Sequence, residues 1–137
     1  MPKLSNVYLN ENADKILYDL LSKREKKTNI SHRSMPSFAQ HKKFIASKPY
    51  KAWYFIMNVG EVIGSLYLSK NDEIGLFLFK RFQGKGLARP VLKELIKKHP
   101  KVKRFLANIN PKNHRSILFF EKEGFRHIQN TYAWHRK

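Results

Sequence analysis

Apolar and polar positions along the chain recur with two different periods, and each change of period marks an element. Val7-Tyr8-Leu9 reads as a short first strand. Asn12 can then cap a helix whose apolar face is Ile16, Leu17, Leu20 and Leu21, with Lys23 to Lys27 as its charged end. Thr28 to Pro36 has no usable period and is read as a loop. Ser37-Phe38-Ala39-Gln40 has the S-x-x-Q form of a capping box, which starts a second helix ended by Pro49. Ala52 to Val59 and Val62 to Leu68 are strand-like and joined by a tight turn around Gly60-Glu61. After a turn at Asn71-Asp72, the run Ile74-Gly75-Leu76-Phe77-Leu78-Phe79 has the length and composition of a buried strand. Leu87, Val91, Leu92, Leu95 and Ile96 then share one helix face. Phe105 to Ile109 returns to strand, and Asn113 opens a last helix stopped by Gly124. Arg126 to Trp134 has room for one more strand or a short pair. The order is β-α-α-β-β-β-α-β-α-β in a single α/β (α+β) domain covering residues 1–137, without internal repeats or linkers.

Composition narrows the class. A hydrophobic content of 42% with 13% aromatic residues is that of a globular chain with a real core. No apolar run approaches a membrane span, and the start of the chain lacks the layout of a signal peptide. With no cysteine there is no disulfide, thiolate metal site or cysteine nucleophile, which fits a cytoplasmic protein. The six histidines show no paired metal spacing, so no metal site is expected. Charge is the unusual feature: 28 Lys+Arg against 10 Asp+Glu, a formal net charge of +18. Such a field draws anions of every kind. The basic residues are scattered and not gathered on one arm, which favours a surface suited to phosphorylated ligands over a dedicated nucleic-acid interface, although nucleic acid or ribosome binding stays open.

The stretch Arg81-Phe82-Gln83-Gly84-Lys85-Gly86-Leu87-Ala88 carries the clearest chemistry. Its two glycines sit where a strand turns into a helix, so the backbone can take positive φ and a ligand can approach without a Cβ in the way. Helix N-termini offer unpaired N–H groups and suit a phosphate. Lys85 and Arg89 add positive charge. A Walker A loop is excluded because Gly84 and Gly86 are too close, and a dinucleotide fingerprint because Arg89 stands where a small residue is needed.

The pattern R-x-x-G-x-G after a strand resembles the acetyl-CoA pyrophosphate loop of the GNAT acetyltransferases. Downstream, Asn113-His114-Arg115-Ser116-Ile117-Leu118-Phe119-Phe120-Glu121-Lys122-Glu123-Gly124-Phe125 resembles that family's second motif, an Asn opening a helix that closes on E-K-x-G-F. The resemblance covers Val59 to Phe125. It implies a GNAT-type mixed sheet, splayed between its fourth and fifth strands and flanked by helices, with acetyl-CoA (coenzyme A) as the cofactor. Neighbouring strands that diverge leave main-chain groups unpaired. In the family the pantetheine arm takes that place, which implies backbone contacts from Leu76 and Leu78, the main chain of Gln83, Gly84, Lys85, Gly86, Leu87 and Ala88 around the phosphates, and Phe79 and Arg81 also in the cofactor site. By position Asn113 and Phe120 also belong to the cofactor site, though capping alone accounts for Asn113.

Transfer of an acetyl group to an amine needs a base, an aligned nitrogen and donors for the developing oxyanion. Glu73, at the mouth of the motif strand, is the candidate base. Many relatives protonate the leaving thiolate with a tyrosine four residues before the helix-ending Gly. Here that position is Phe120, and Tyr132 is the nearest substitute in sequence. The resemblance puts the loop between the first two helices over the acceptor, which names His32, Arg33 and Met35, with His41 just beyond. Trp53 reads as core. The expected activity is direct transfer to a primary amine in a ternary complex. An amino-sugar nucleotide or similar small amine is the preferred acceptor, and a protein N-terminus such as that of a ribosomal protein is the competing one. A basic RNA-binding module on the same fold is the reading from another class. No membrane partner is expected, and monomer and homodimer remain open.

Overall fold

Ser37 Oγ accepts from Gln40 N at 3.1 Å while Gln40 Oε1 accepts from Ser37 N at 2.9 Å, so the predicted capping box is formed. It opens one of four helices in the computed structural model, which describes residues 1–23 and 35–136. In chain order the elements are β1 (Lys3–Asn6), α1 (Ala13–Ser22), α2 (Phe38–Ala46), β2 (Ala52–Asn58), β3 (Glu61–Leu68), β4 (Glu73–Leu78), α3 (Ala88–Lys98), β5 (Leu106–Ala107) and α4 (His114–Lys122). The strands form one sheet in the order β1-β2-β3-β4-β5. The first three pairings are antiparallel, and β4 with β5 is parallel.

Alternation along each strand divides the core in two. Ile56, Leu66, Leu68, Ile74 and Leu78 meet Val91, Leu92, Leu95 and Phe120 from α3 and α4. On the other face Phe55 and Trp53 meet Leu17, Leu20 and Ile45 from α1 and α2. Trp53 is thus core, as expected. Among the described residues no helix is long and apolar enough to cross a membrane.

Three expectations need correction. The first strand is Lys3–Asn6, and Val7–Leu9 is a 3-10 turn: Asn6 Oδ1 accepts from Tyr8 N at 2.9 Å and closes the turn, while Val7 is buried against α1. Of the apolar pair only Val7 is buried, Leu9 being 83% exposed, so the run marks one anchor residue and not an extended strand. The fifth strand is shorter than the Phe105–Ile109 segment suggests, because only Glu73↔Leu106 and Ile74↔Ala107 pair with β4. No strand forms in residues 126–136, where Tyr132 is 90% and Trp134 77% exposed. A strand needs a neighbour's main chain, and two-residue β5 offers almost no edge.

Candidate active site

Main-chain hydrogen bonds show which side of β4 is open. Phe79 N donates to Ile63 O at 3.0 Å, and Glu73 O accepts from Ser69 N at 2.8 Å. The odd-numbered residues of β4 therefore turn their main chain toward β3, and Ile74, Leu76 and Leu78 turn theirs to the opposite edge. There Leu106 N donates to Asp72 O at 2.9 Å, and pairing ends at Ile74↔Ala107. Beyond that point Leu76 has no strand beside it. The slot that the sequence reading requires is open.

At its far end the slot is bridged by a side chain. Gln83 Nε2 donates to Leu78 O at 2.9 Å, and Gln83 Oε1 accepts from Arg115 Nη1 at 3.2 Å. Next comes the glycine turn, with Gly84 at φ 73° and Gly86 at φ 74°, both in the left-handed region. Leu87 is the N-cap of α3 and brings no capping side chain. Among the described residues, no protein acceptor pairs with the N–H groups from Gly84 to Ala88. Unpaired donors at the positive end of a helix form a phosphate cradle. Pro90 lies in the first turn of α3, where a missing N–H breaks no helical bond.

Arg115, which the motif reading did not single out, reaches the glycine turn. It comes from the first turn of α4, and a Cβ on Gly84 would stand 3.8 Å from its Nη1. Its signal in the sequence was its place two residues after the helix-capping Asn113. Lys85, the residue after Gly84, is exposed. Two other cations near the motif are already engaged. Arg81 Nη2 pairs with Glu61 at 2.8 Å and its guanidinium lies 4.6 Å from the Phe82 ring centroid, while Arg89 Nε pairs with Glu123 at 3.3 Å. Phe79 turns its N–H to β3, away from the slot.

Where β4 and β5 converge, Glu73 is held by two side chains. Ser69 Oγ donates to Glu73 Oε1 at 3.3 Å, and Asn108 Nδ2 donates to Glu73 Oε2. Glu73, Gly75 and Phe77 share the α1/α2 face of the sheet. Tyr67 crosses that face over Gly75 and stacks on Tyr50 at 3.9 Å and 4°. Nothing local in the sequence marks Tyr50, Tyr67 or Asn108, whose partners, Tyr50 with Tyr67 and Asn108 with Glu73, are distant along the chain.

The remaining expected residues are distributed differently. Asn113 Oδ1 accepts from Ser116 N at 3.2 Å, so the residue caps α4. Phe120 is 6% exposed, with its ring 5.1 Å from Phe119 and 5.0 Å from Phe125. Phe125 N donates to Phe120 O and Gly124 N to Glu121 O, a Schellman ending whose usual apolar contact is this Phe120–Phe125 pair. Tyr132 lies in the exposed tail and belongs to neither core cluster. His41 is buried with its ring 5.4 Å from Tyr18, and Met35 is exposed. His32 and Arg33 lie outside the described residues.

Comparison with known proteins agrees with this architecture. The family profile described as Acetyltransferase (GNAT) domain matches residues 8–126. No curated protein matches the chain. Among solved structures, a domain from Methanocaldococcus jannaschii superposes with a TM-score of 0.80 at 18% identity, over 96% of this chain and 92% of the other. An acetyltransferase from Salmonella typhimurium that modifies the N-terminal serine of ribosomal protein L7/L12 gives 0.71 at 21% identity, over 90% and 80%. Spermidine N-acetyltransferase from Vibrio cholerae, in complex with CoA and spermine, gives 0.77 at 14% identity, over 90% and 79%. At these identities the likeness is one of fold.

Proposed function

The chain belongs to the GNAT acetyltransferases, and from that membership we propose that residues 1–137 form one domain that transfers an acetyl group directly to a primary amine held beside Glu73. The observation that carries this reading is the continuity of three features: Glu73 where the strands converge, the unpaired edge at Leu76, and the free N–H groups of the glycine turn. Acetyl-CoA, the family's cofactor, supplies an activated acyl group as a thioester. The outward main chain of Leu76 and Leu78 offers partners to its arm, and the N–H groups from Gly84 to Ala88, with Lys85 and Arg115, offer charge and donors to its phosphates.

Glu73 takes the proton of the attacking amine, with Ser69 and Asn108 fixing the carboxylate's orientation. Phe120 has no proton to give, so solvent is the donor for the departing sulfur. With no cysteine in the chain, transfer is direct and forms no acyl-enzyme on sulfur. The preferred acceptor is an amino-sugar nucleotide or similar small anionic amine, because a net charge of +18 attracts anions and repels polyamines.

Thiol release measured across amino-sugar nucleotides, polyamines and N-terminal peptides tests the proposal. Release with the nucleotide is expected. Release with peptides alone would move the acceptor to a protein N-terminus. A melting temperature unchanged by saturating acetyl-CoA would overturn the site itself.

A further inference from the structure

A depression of about 350 Å³ opens at the end of the sheet where β4 and β5 begin. Lys51, Asp72, Lys101, Lys103, Arg104 and Leu106 contribute to its lining. Four cations thus face one carboxylate, and Lys51 already bonds that carboxylate. Among the described residues, Lys101, Lys103 and Arg104 have no acidic partner. Burial first, then the charges of Lys51 and Lys98, holds His99 below the usual histidine range, with Asp72 acting the other way. Like charges gathered without counter-ions repel one another, and an entering anion relieves that repulsion.

The position of the depression links it to the chemistry. Asp72 immediately precedes Glu73, and Leu106 is Glu73's partner across β4 and β5. The basic lining therefore begins one residue from the candidate base, about 3.8 Å along the chain. It lies at the opposite end of β4 from the glycine turn, so a group bound here competes with none of the phosphates held there.

We propose that this depression anchors a phosphate or diphosphate of the acceptor while its amine reaches Glu73. The inference rests on the acceptor being acetylated at the Glu73 end of the slot. Arg104 supplies a planar fork for two phosphate oxygens, and the lysines supply point charges around it. A polycationic acceptor is repelled at the same place.

The test compares the full-length chain with its Lys103→Gln/Arg104→Gln double variant, both changes being at exposed positions. Thiol release is measured with an amino-sugar nucleoside diphosphate and with the same amino sugar lacking the nucleotide. The variant should raise KM for the nucleotide acceptor about tenfold or more, as expected for lost charge-assisted bonds, with KM for acetyl-CoA unaltered. The rise should be absent with the plain amino sugar. Calorimetric titration with inorganic pyrophosphate in saturating CoA should show binding to the wild type that the variant weakens to a similar degree.

Equal KM values and equal pyrophosphate binding in the two proteins would overturn the anchor. So would an unchanged acceptor KM accompanied by loss of RNA affinity, which would make the depression a nucleic-acid surface. Failure of the acceptor reading looks different: the wild type then acetylates neither member of the pair.

Discussion

The ring of Tyr67 lies so close over Gly75 that a Cβ on Gly75 would stand 2.0 Å from it. The two residues are cross-strand partners, and the missing side chain is what lets Tyr67 lie over Gly75 while it stacks on Tyr50. Gly75→Ala should displace the stack, raise KM for the acceptor and leave the acetyl-CoA melting shift in place, with a stability loss of about 1–3 kcal/mol. Gly64→Ala should cost more, since its Cβ would meet the Phe77 carbonyl oxygen at 2.1 Å and main chain cannot rotate aside. Urea denaturation of both variants checks the ranking, and equal losses would refute it.

Gly84 at φ 73° is in a region that a β-branched residue occupies only with strain. Gly84→Val should abolish the melting shift produced by acetyl-CoA. Unchanged cofactor affinity in a folded variant would show that the phosphates bind elsewhere.

Glu73→Gln should lower kcat by about 10²–10⁴-fold, the usual worth of a general base, without changing the acetyl-CoA melting shift. Asn108 donates to the Glu73 carboxylate, so under the proposed mechanism its effect would pass through Glu73 as that of a positioning residue. Asn108→Ala should therefore lower kcat by less, and it too should leave cofactor binding alone. Rapid-mixing or steady-state thiol release separates these effects from simple unfolding.

Phe120→Tyr adds a hydroxyl to a ring packed against those of Phe119 and Phe125. Activity should stay level or rise, while stability falls by about 1–3 kcal/mol if the hydroxyl finds no partner. Phe120→Ala should cost about 3–5 kcal/mol through the cavity it leaves. A severe loss of turnover in a folded Phe120→Tyr variant would show that the phenylalanine shapes the slot.

Tyr54 and His99 give a pH dependence with a definite sign. The Tyr54 hydroxyl lies 3.1 Å from His99 Nε2, and burial, then Lys51 and Lys98, depress the histidine. The unfolded chain, with its ordinary histidine value of 6.5, then binds more protons than the folded one. The stabilisation is full above about 6.5 and is lost as pH falls from there through the folded value. Melting temperatures between neutral and mildly acidic pH should fall more for the wild type than for His99→Gln. Parallel curves would exclude His99 as the source.

Much of this fold could be read from the chain because its signals are local. The capping box at Ser37, the cap at Asn113 and the Gly124 stop are each written within a few residues, and each formed. The glycine turn was legible for the same reason. Val7–Leu9 misled because only Val7 is buried, and the Asn6 side chain closes a turn where the apolar run suggested extension. The surroundings of Glu73 were the least legible: the contacts of Tyr67, Tyr50 and Asn108 come from strand register and from partners far away in sequence.

Gln83 ties the last outward carbonyl of β4 to a guanidinium on α4, so a single amide clasps the two walls of the cleft at its mouth. An incoming arm that claims the Leu78 carbonyl must first unfasten that clasp, and the freed Arg115 is then at hand for the phosphates that follow. With the carrier bound as proposed, its entry and the freeing of Arg115 would be coupled through one glutamine.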